Sequence, residues 1–147
     1  DFDRYINLRK LKLHKCVDYL PDGPEGSVED ALSNLKKEIF QRIGSVWHAQ
    51  WLYNHQEFIP KSWFEVWNSG GRIVFPGMQL VDDRSDNFRY AILRNCSITG
   101  RLDVSFEDEF NLNKNKTDYF IATVGPNAKK TFIREGQLIE TRRYRNR

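Results

Sequence analysis

The recurrence of apolar residues changes once along this chain, at residues 68–71, from helical spacing to the short alternating runs of strands. Before that point Val28, Leu32, Leu35, Ile39, Ile43, Val46 and Trp47 recur at three- and four-residue intervals, with Lys36, Lys37 and Arg42 between them. Ser27 suits an N-cap, and Glu29 and Asp30 place negative charge on the first turn, where the helix dipole favours it. This pattern predicts a helix from Ser27 to about Phe58, bent or split at Gly44 and Ser45. After Pro60, a shorter helix capped by Ser62 carries Trp63, Phe64, Val66 and Trp67 and stops at Gly70 and Gly71. From Arg72 onward, residues 72–75, 78–81, 88–98, 101–106, 118–124 and 129–134 are rich in β-branched and aromatic side chains and separated by turn formers. Thr99 with Gly100, residues 125–127, and Glu135 with Gly136 read as hairpin turns.

Helices first and strands later imply one α+β domain over residues 1–147. The expected architecture is an N-terminal helical layer, one long and one short helix, on one face of a C-terminal antiparallel sheet of about five to six strands. Residues 1–20 suit either a short strand, with Leu11 and Leu13 on one side and Lys12 and His14 on the other, or a helix face. A loop follows at residues 21–26.

All four tryptophans fall between residues 47 and 67, as Trp47 with Trp51 and Trp63 with Trp67. Each pair shares a helix face and makes a broad aromatic plate. Core is the favoured reading; the competing one makes these four side chains interface anchors, because tryptophan is enriched at binding hot spots.

Charge is uneven. Residues 1–15 hold five basic side chains against two acidic, and residues 128–147 seven against two, so the body between these ends is mildly acidic. Basic ends on an acidic body suit contact with an anionic partner, nucleic acid or an acidic protein surface, against the plainer reading of solvated tails. The tail at 141–147 is too poor in apolar residues to order itself and needs a support, such as a sheet extension, a packing contact, a partner chain or nucleic acid. Lys129, Lys130, Arg142, Arg143, Arg145 and Arg147 offer donors for phosphates and Tyr144 a stacking ring; Lys10, Lys12 and Lys15 join them if the N-terminus lies beside the last hairpin.

Sites for catalysis are poorly represented. His48 and His55 return to nearly the same helix face with Glu57 nearby, but the spacing is longer than that of a helical metal pair and a third ligand is lacking. Asp82, Asp83 and Asp86 could hold a hard cation, but a polar hairpin loop explains them more simply. Residues 107–115 resemble a calcium loop without its glycine and terminal glutamate, and read as a solvated loop. No nucleophile elbow or phosphate-cradling glycine motif occurs, and Cys16 and Cys96 form neither a disulfide framework nor a zinc pattern. Neither catalytic residue, metal nor cofactor is expected, and no apolar run is long enough to span a bilayer.

The function expected is therefore a non-catalytic structural or assembly component of a larger particle, a virion or another nucleoprotein complex. It would dock on protein subunits, or on nucleic acid, through its basic ends, with cytoplasm or virion as the default setting. A free-standing, sequence-nonspecific nucleic-acid-binding protein is the second reading. A small metal-dependent hydrolase or nuclease using the Asp82 group or the His48 and His55 pair is the third.

Overall fold

Ser27 starts the first helix as its sequence predicts: its Oγ accepts from the Asp30 N–H at 3.2 Å and its own N–H donates to Asp30 Oδ2 at 3.1 Å. The structure, a computed structural model, describes residues 6–20, 25–39, 41–81, 88–96 and 100–126. Within them, α1 (Val28–Glu38) is followed by β2 (Gln41–Ile43), α2 (Val46–Asn54), α3 (Lys61–Asn68), β3 (Arg72–Val81), β4 (Phe88–Asn95), β5 (Leu102–Asp108), α4 (Glu109–Lys114) and β6 (Tyr119–Pro126), while β1 (Leu11–Lys15) precedes them all. Among the described residues, no helix is long and apolar enough to cross a membrane.

The α+β class holds, with helices mainly in the N-terminal half and most of the sheet in the C-terminal half. Its finer organisation differs from the expectation in three ways. The long helix is two helices separated by a strand. Ile39 is already extended, and the N–H of Gly44 donates to Ala122 O at 2.8 Å while its carbonyl accepts from Gly77 N at 2.7 Å. A Cβ on Gly44 would lie 2.6 Å from Phe75 Cδ2, so only glycine lets the chain pass this close to β3. Apolar spacing runs on through this crossing because α1 and α2 bury their faces against opposite sides of the sheet, which periodicity alone does not reveal.

The six-stranded sheet is mixed, in the order β1-β6-β3-β4-β5, with β2 also pairing with β6. Every pair is antiparallel except β3 with β6, where Arg72, Ile73 and Val74 lie opposite Tyr119, Phe120 and Ile121. The cause is residues 109–118, most of which fall in the solvated loop expected at 107–115 but form α4 and a 3-10 turn and carry the chain back for a parallel return. Asp108 Oδ1 caps α4 through the Asn111 N–H at 2.8 Å, and Leu112 is its buried anchor.

Helices cover both faces of the sheet rather than one. Ile73, Phe75, Ala91, Leu93 and Ala122 meet Trp51, Leu52, Trp63 and Trp67 on one face; Val74, Tyr90, Ile92, Tyr119 and Ile121 meet Ala31, Leu32, Leu35 and Leu112 on the other. Covering both faces explains the unbroken buried run Tyr90 to Leu93 in β4. Residues 72–75 and 78–81 form one strand with a register irregularity between Phe75 and Leu80. The strand expected at 129–134 and the turn at Glu135 and Gly136 lie outside the described residues.

Candidate nucleic-acid interface

Asn7 anchors the N-terminal basic segment. Its N–H donates to Val124 O at 2.9 Å, and its Oδ1 accepts from the Arg9 N–H at 3.1 Å, which starts the 3-10 turn Leu8–Lys10. The chain then enters β1, antiparallel to β6, with Leu11 opposite Val124 and Lys15 opposite Phe120. Leu11 and Leu13 pack on the tryptophan core, and Arg9, Lys10, Lys12 and Lys15 remain exposed. Gly125 makes the approach possible: its φ is +103°, and a Cβ there would stand 2.6 Å from Asn7 Cβ and 3.3 Å from Lys10 Cβ.

This places the first basic segment against the strand from which the second one departs. Lys10 sits beside Gly125, and β6 ends at Pro126, two residues before the basic segment that begins at residue 128. The strand alternative for the N-terminal segment is thus the one adopted, beside β6; the second strand of the last hairpin expected lies outside the described residues. Lys129, Lys130, Arg142, Arg143, Tyr144, Arg145 and Arg147 themselves lie outside the described residues.

A polar relay fixes this edge to the sheet. Thr123 Oγ1, fully buried, donates to Gln41 Oε1 at 2.6 Å and so accepts from His14 Nε2 at 3.0 Å; His14 Nδ1 is then the acceptor for the Tyr19 hydroxyl at 3.4 Å. The relay joins β1, β6, β2 and the turn after β1. Burial, and then the charge of Lys12, hold the His14 pKa below its ordinary value, so the positive charge of the edge comes from its lysines and arginine. Alternation predicts the side of β1 on which His14 lies, but its partners are up to 109 residues away and leave no local signal.

The histidine pair has structural tasks. His48 is buried, and its Nδ1 accepts from the Ser45 N–H at 2.8 Å at the start of α2. His55 closes that helix: its Nδ1 donates to Trp51 O at 2.8 Å and its ring stacks on Trp51 with centroids 4.0 Å apart. Three tryptophans likewise belong to the core. Trp51, Trp63 and Trp67 are buried, and Trp67 Nε1 donates to Leu93 O at 3.0 Å; Trp47 is the one of the four that reaches solvent, at 38 % exposure.

A second polar group, on the opposite side of the sheet from the tryptophans, was not legible in the sequence. Glu29 of α1 and Glu109 of α4 both accept from the Tyr90 hydroxyl, Glu109 Oε1 at 3.3 Å, and Gln79 Nε2 donates to Tyr90 Oη at 2.8 Å. Glu109, and then the Tyr90 hydroxyl, pull the Glu29 pKa down, while the neighbouring Glu29 pushes that of Glu109 up. Tyr90 is pushed far above the ordinary phenol range by burial and by Glu29. The group ties two helix N-termini to β3 and β4. Asp82, Asp83 and Asp86 lie outside the described residues, and among the described residues no group of three or more His, Cys, Asp or Glu side chains is placed to hold a metal.

The chain matches no known family, no characterised protein and no solved structure.

Proposed function

We propose that this protein is a non-catalytic component of a larger nucleoprotein assembly, a virion or another particle, and that it docks on nucleic acid through one basic surface. That surface is made of Arg9, Lys10, Lys12 and Lys15 at the β1 edge together with the C-terminal arm. The observation that carries the reading is the pairing of β1 with β6, which sets the basic N-terminal segment at the root of the basic C-terminal one. Two basic segments acting together contact more phosphates than either alone, and affinity then follows charge and shape rather than base sequence. The hydrolase reading draws no support from the histidine pair, since among the described residues no group of three or more His, Cys, Asp or Glu side chains is placed to hold a metal.

The test is binding of labelled single- and double-stranded RNA and DNA across a salt series, with the full chain and with residues 141–147 removed. The arm deletion takes away four arginines. The slope of log affinity against log salt should flatten by about 3 to 4, at roughly 0.7 to 0.9 per lost phosphate contact. Unchanged affinity and slope after deletion would refute the role of the arm, and binding that is absent even at low salt would refute nucleic acid as the partner. A chain that binds this way yet enters no assembly is the free-standing binder of the second reading.

A further inference from the structure

The sheet ends in two strands, β1 and β5, and neither has a second strand neighbour among the described residues. Their charges are opposite. β1 reads Leu-Lys-Leu-His-Lys and follows Arg9 and Lys10; β5 reads Leu-Asp-Val-Ser-Phe-Glu-Asp, with three acidic residues and no basic one. We propose that the β1 edge of one copy pairs with the β5 edge of a second copy, so that the sheet continues from molecule to molecule. This rests on the assembly reading above: a copy whose β1 edge is unpaired offers both parts of the basic surface to nucleic acid, and a copy whose β1 edge is taken by a neighbour offers the arm.

Direction, face and charge all agree with this pairing. β5 is antiparallel to β4, β4 to β3, β3 is parallel to β6, and β6 is antiparallel to β1. A copy translated across the sheet therefore presents its β1 antiparallel to β5, with the faces in continuity. Leu11 and Leu13 lie on the tryptophan face, as do Leu102 and Val104. A register with Leu13 opposite Val104 sets Leu11 opposite Phe106, which is 48 % exposed, and His14 opposite Asp103. Lys12 then falls opposite Ser105, diagonal to Asp103 and Glu107, while Arg9 and Lys10 approach Asp108 and Glu107. Arg94 and Arg72 already bond Asp103 and Glu107 from within the sheet, at 3.2 Å and 3.1 Å, and hold these carboxylates at the edge.

The alternatives are disfavoured by the same charges. Lysines on an edge strand ordinarily prevent pairing with another edge. Here they oppose β1 to β1, and the acidic residues oppose β5 to β5, which leaves the unlike combination. Such a contact is heterologous, so each added copy leaves a free edge of each kind.

The contact is small, and sedimentation velocity of the nuclease-treated full chain from about 10 μM to about 1 mM is the suitable measurement. The weight-average mass should rise with concentration past the dimer. Lys12→Glu and Ser105→Lys, each verified as folded by circular dichroism, should each lose this association, and an equimolar mixture of the two should regain it because unlike edges are again available. A wild-type chain that stays monomeric throughout, single variants that associate as wild type does, or a mixture that fails to recover would each overturn the inference. The salt series on the arm deletion reads a different part of the chain. Nucleic-acid binding by a strictly monomeric protein would therefore overturn this pairing and leave the docking of the arm on nucleic acid standing.

Discussion

Replacing Gly77 by alanine tests whether the junction of β2, β3 and β6 is as tight as its geometry implies. A Cβ at this position would stand 2.6 Å from Ile43 O and 2.8 Å from Gly44 O, both backbone atoms that no side-chain rotation can move. Relief requires β2 to separate from β3, which breaks the 2.7 Å bond from Gly77 N to Gly44 O. Overpacking of this kind costs about 1 to 3 kcal/mol and the lost bond about 0.5 to 1.5, against about 0.4 to 1 recovered from the stiffer unfolded chain. The expected net loss is about 2 kcal/mol, within a span of about 0.5 to 4, and a loss of about 2 kcal/mol lowers Tm by about 4 to 8 °C for a domain of this size. Urea unfolding followed by tryptophan fluorescence reads the loss directly, and the midpoint should fall with little change in slope. Gly100→Ala is the control: its φ is +69° but nothing lies within 4 Å of the added carbon, so only the left-handed backbone penalty of about 1 to 2 kcal/mol applies. A Gly77→Ala protein within about 0.5 kcal/mol of wild type would refute the close approach of the two strands.

Three further outcomes follow from the packing and the polar groups. Trp67→Phe removes the donor to Leu93 O while keeping a ring in the core, and equilibrium unfolding should show a loss of about 2 to 4 kcal/mol, from the unpaired carbonyl together with the lost volume. Glu109 holds its proton more tightly in the folded chain than its ordinary value of 4.5 implies, so the stability it gives is full below that value and is lost as pH rises through the folded pKa. In Glu109→Gln that loss should disappear, and a pH series of unfolding midpoints should show the variant gaining on wild type toward neutral pH. Burial raises the Cys16 thiol to about 11, so alkylation of the native protein near pH 8 should modify the half-buried Cys96 and spare Cys16 until denaturant is added, as peptide mass mapping would report.

Local chemistry made α1 readable, since a serine, two acids and an apolar stripe each specify the same first turn. The strands β3 to β6 were readable within a few residues for a similar reason, because β-branched and aromatic runs stand between turn formers. Their arrangement was not. Gln41 meets Pro126, and Leu11 meets Val124, across most of the chain, and no residue near either end announces that pairing. Ile43 is a continuation of the helical spacing of α1 by count alone, yet it belongs to a strand because Gly44 is drawn to the backbones of Ala122 and Gly77. The basic edge was half legible. Its residues were evident from charge, and its place beside β6 depended on a pairing that periodicity does not encode. Of the polar groups, the His14 relay and the Glu29 and Glu109 pair assemble from four elements each, so single-segment reasoning sees only their scattered parts.

The position of β6 has a consequence for how the molecule is made. This strand is the last element described, yet β1 lies along one of its sides and β3 and β2 along the other. During synthesis the meander of β3, β4 and β5 can close as soon as it emerges, whereas β1, translated far earlier, has no strand partner among the described residues until Val124 has left the ribosome. Until then the strand that carries Lys12 and Lys15 is an open template, and its lysines guard the nascent chain against unwanted pairing. Closing such distant contacts is slow, so the final fold is gated by the arrival of a single late strand.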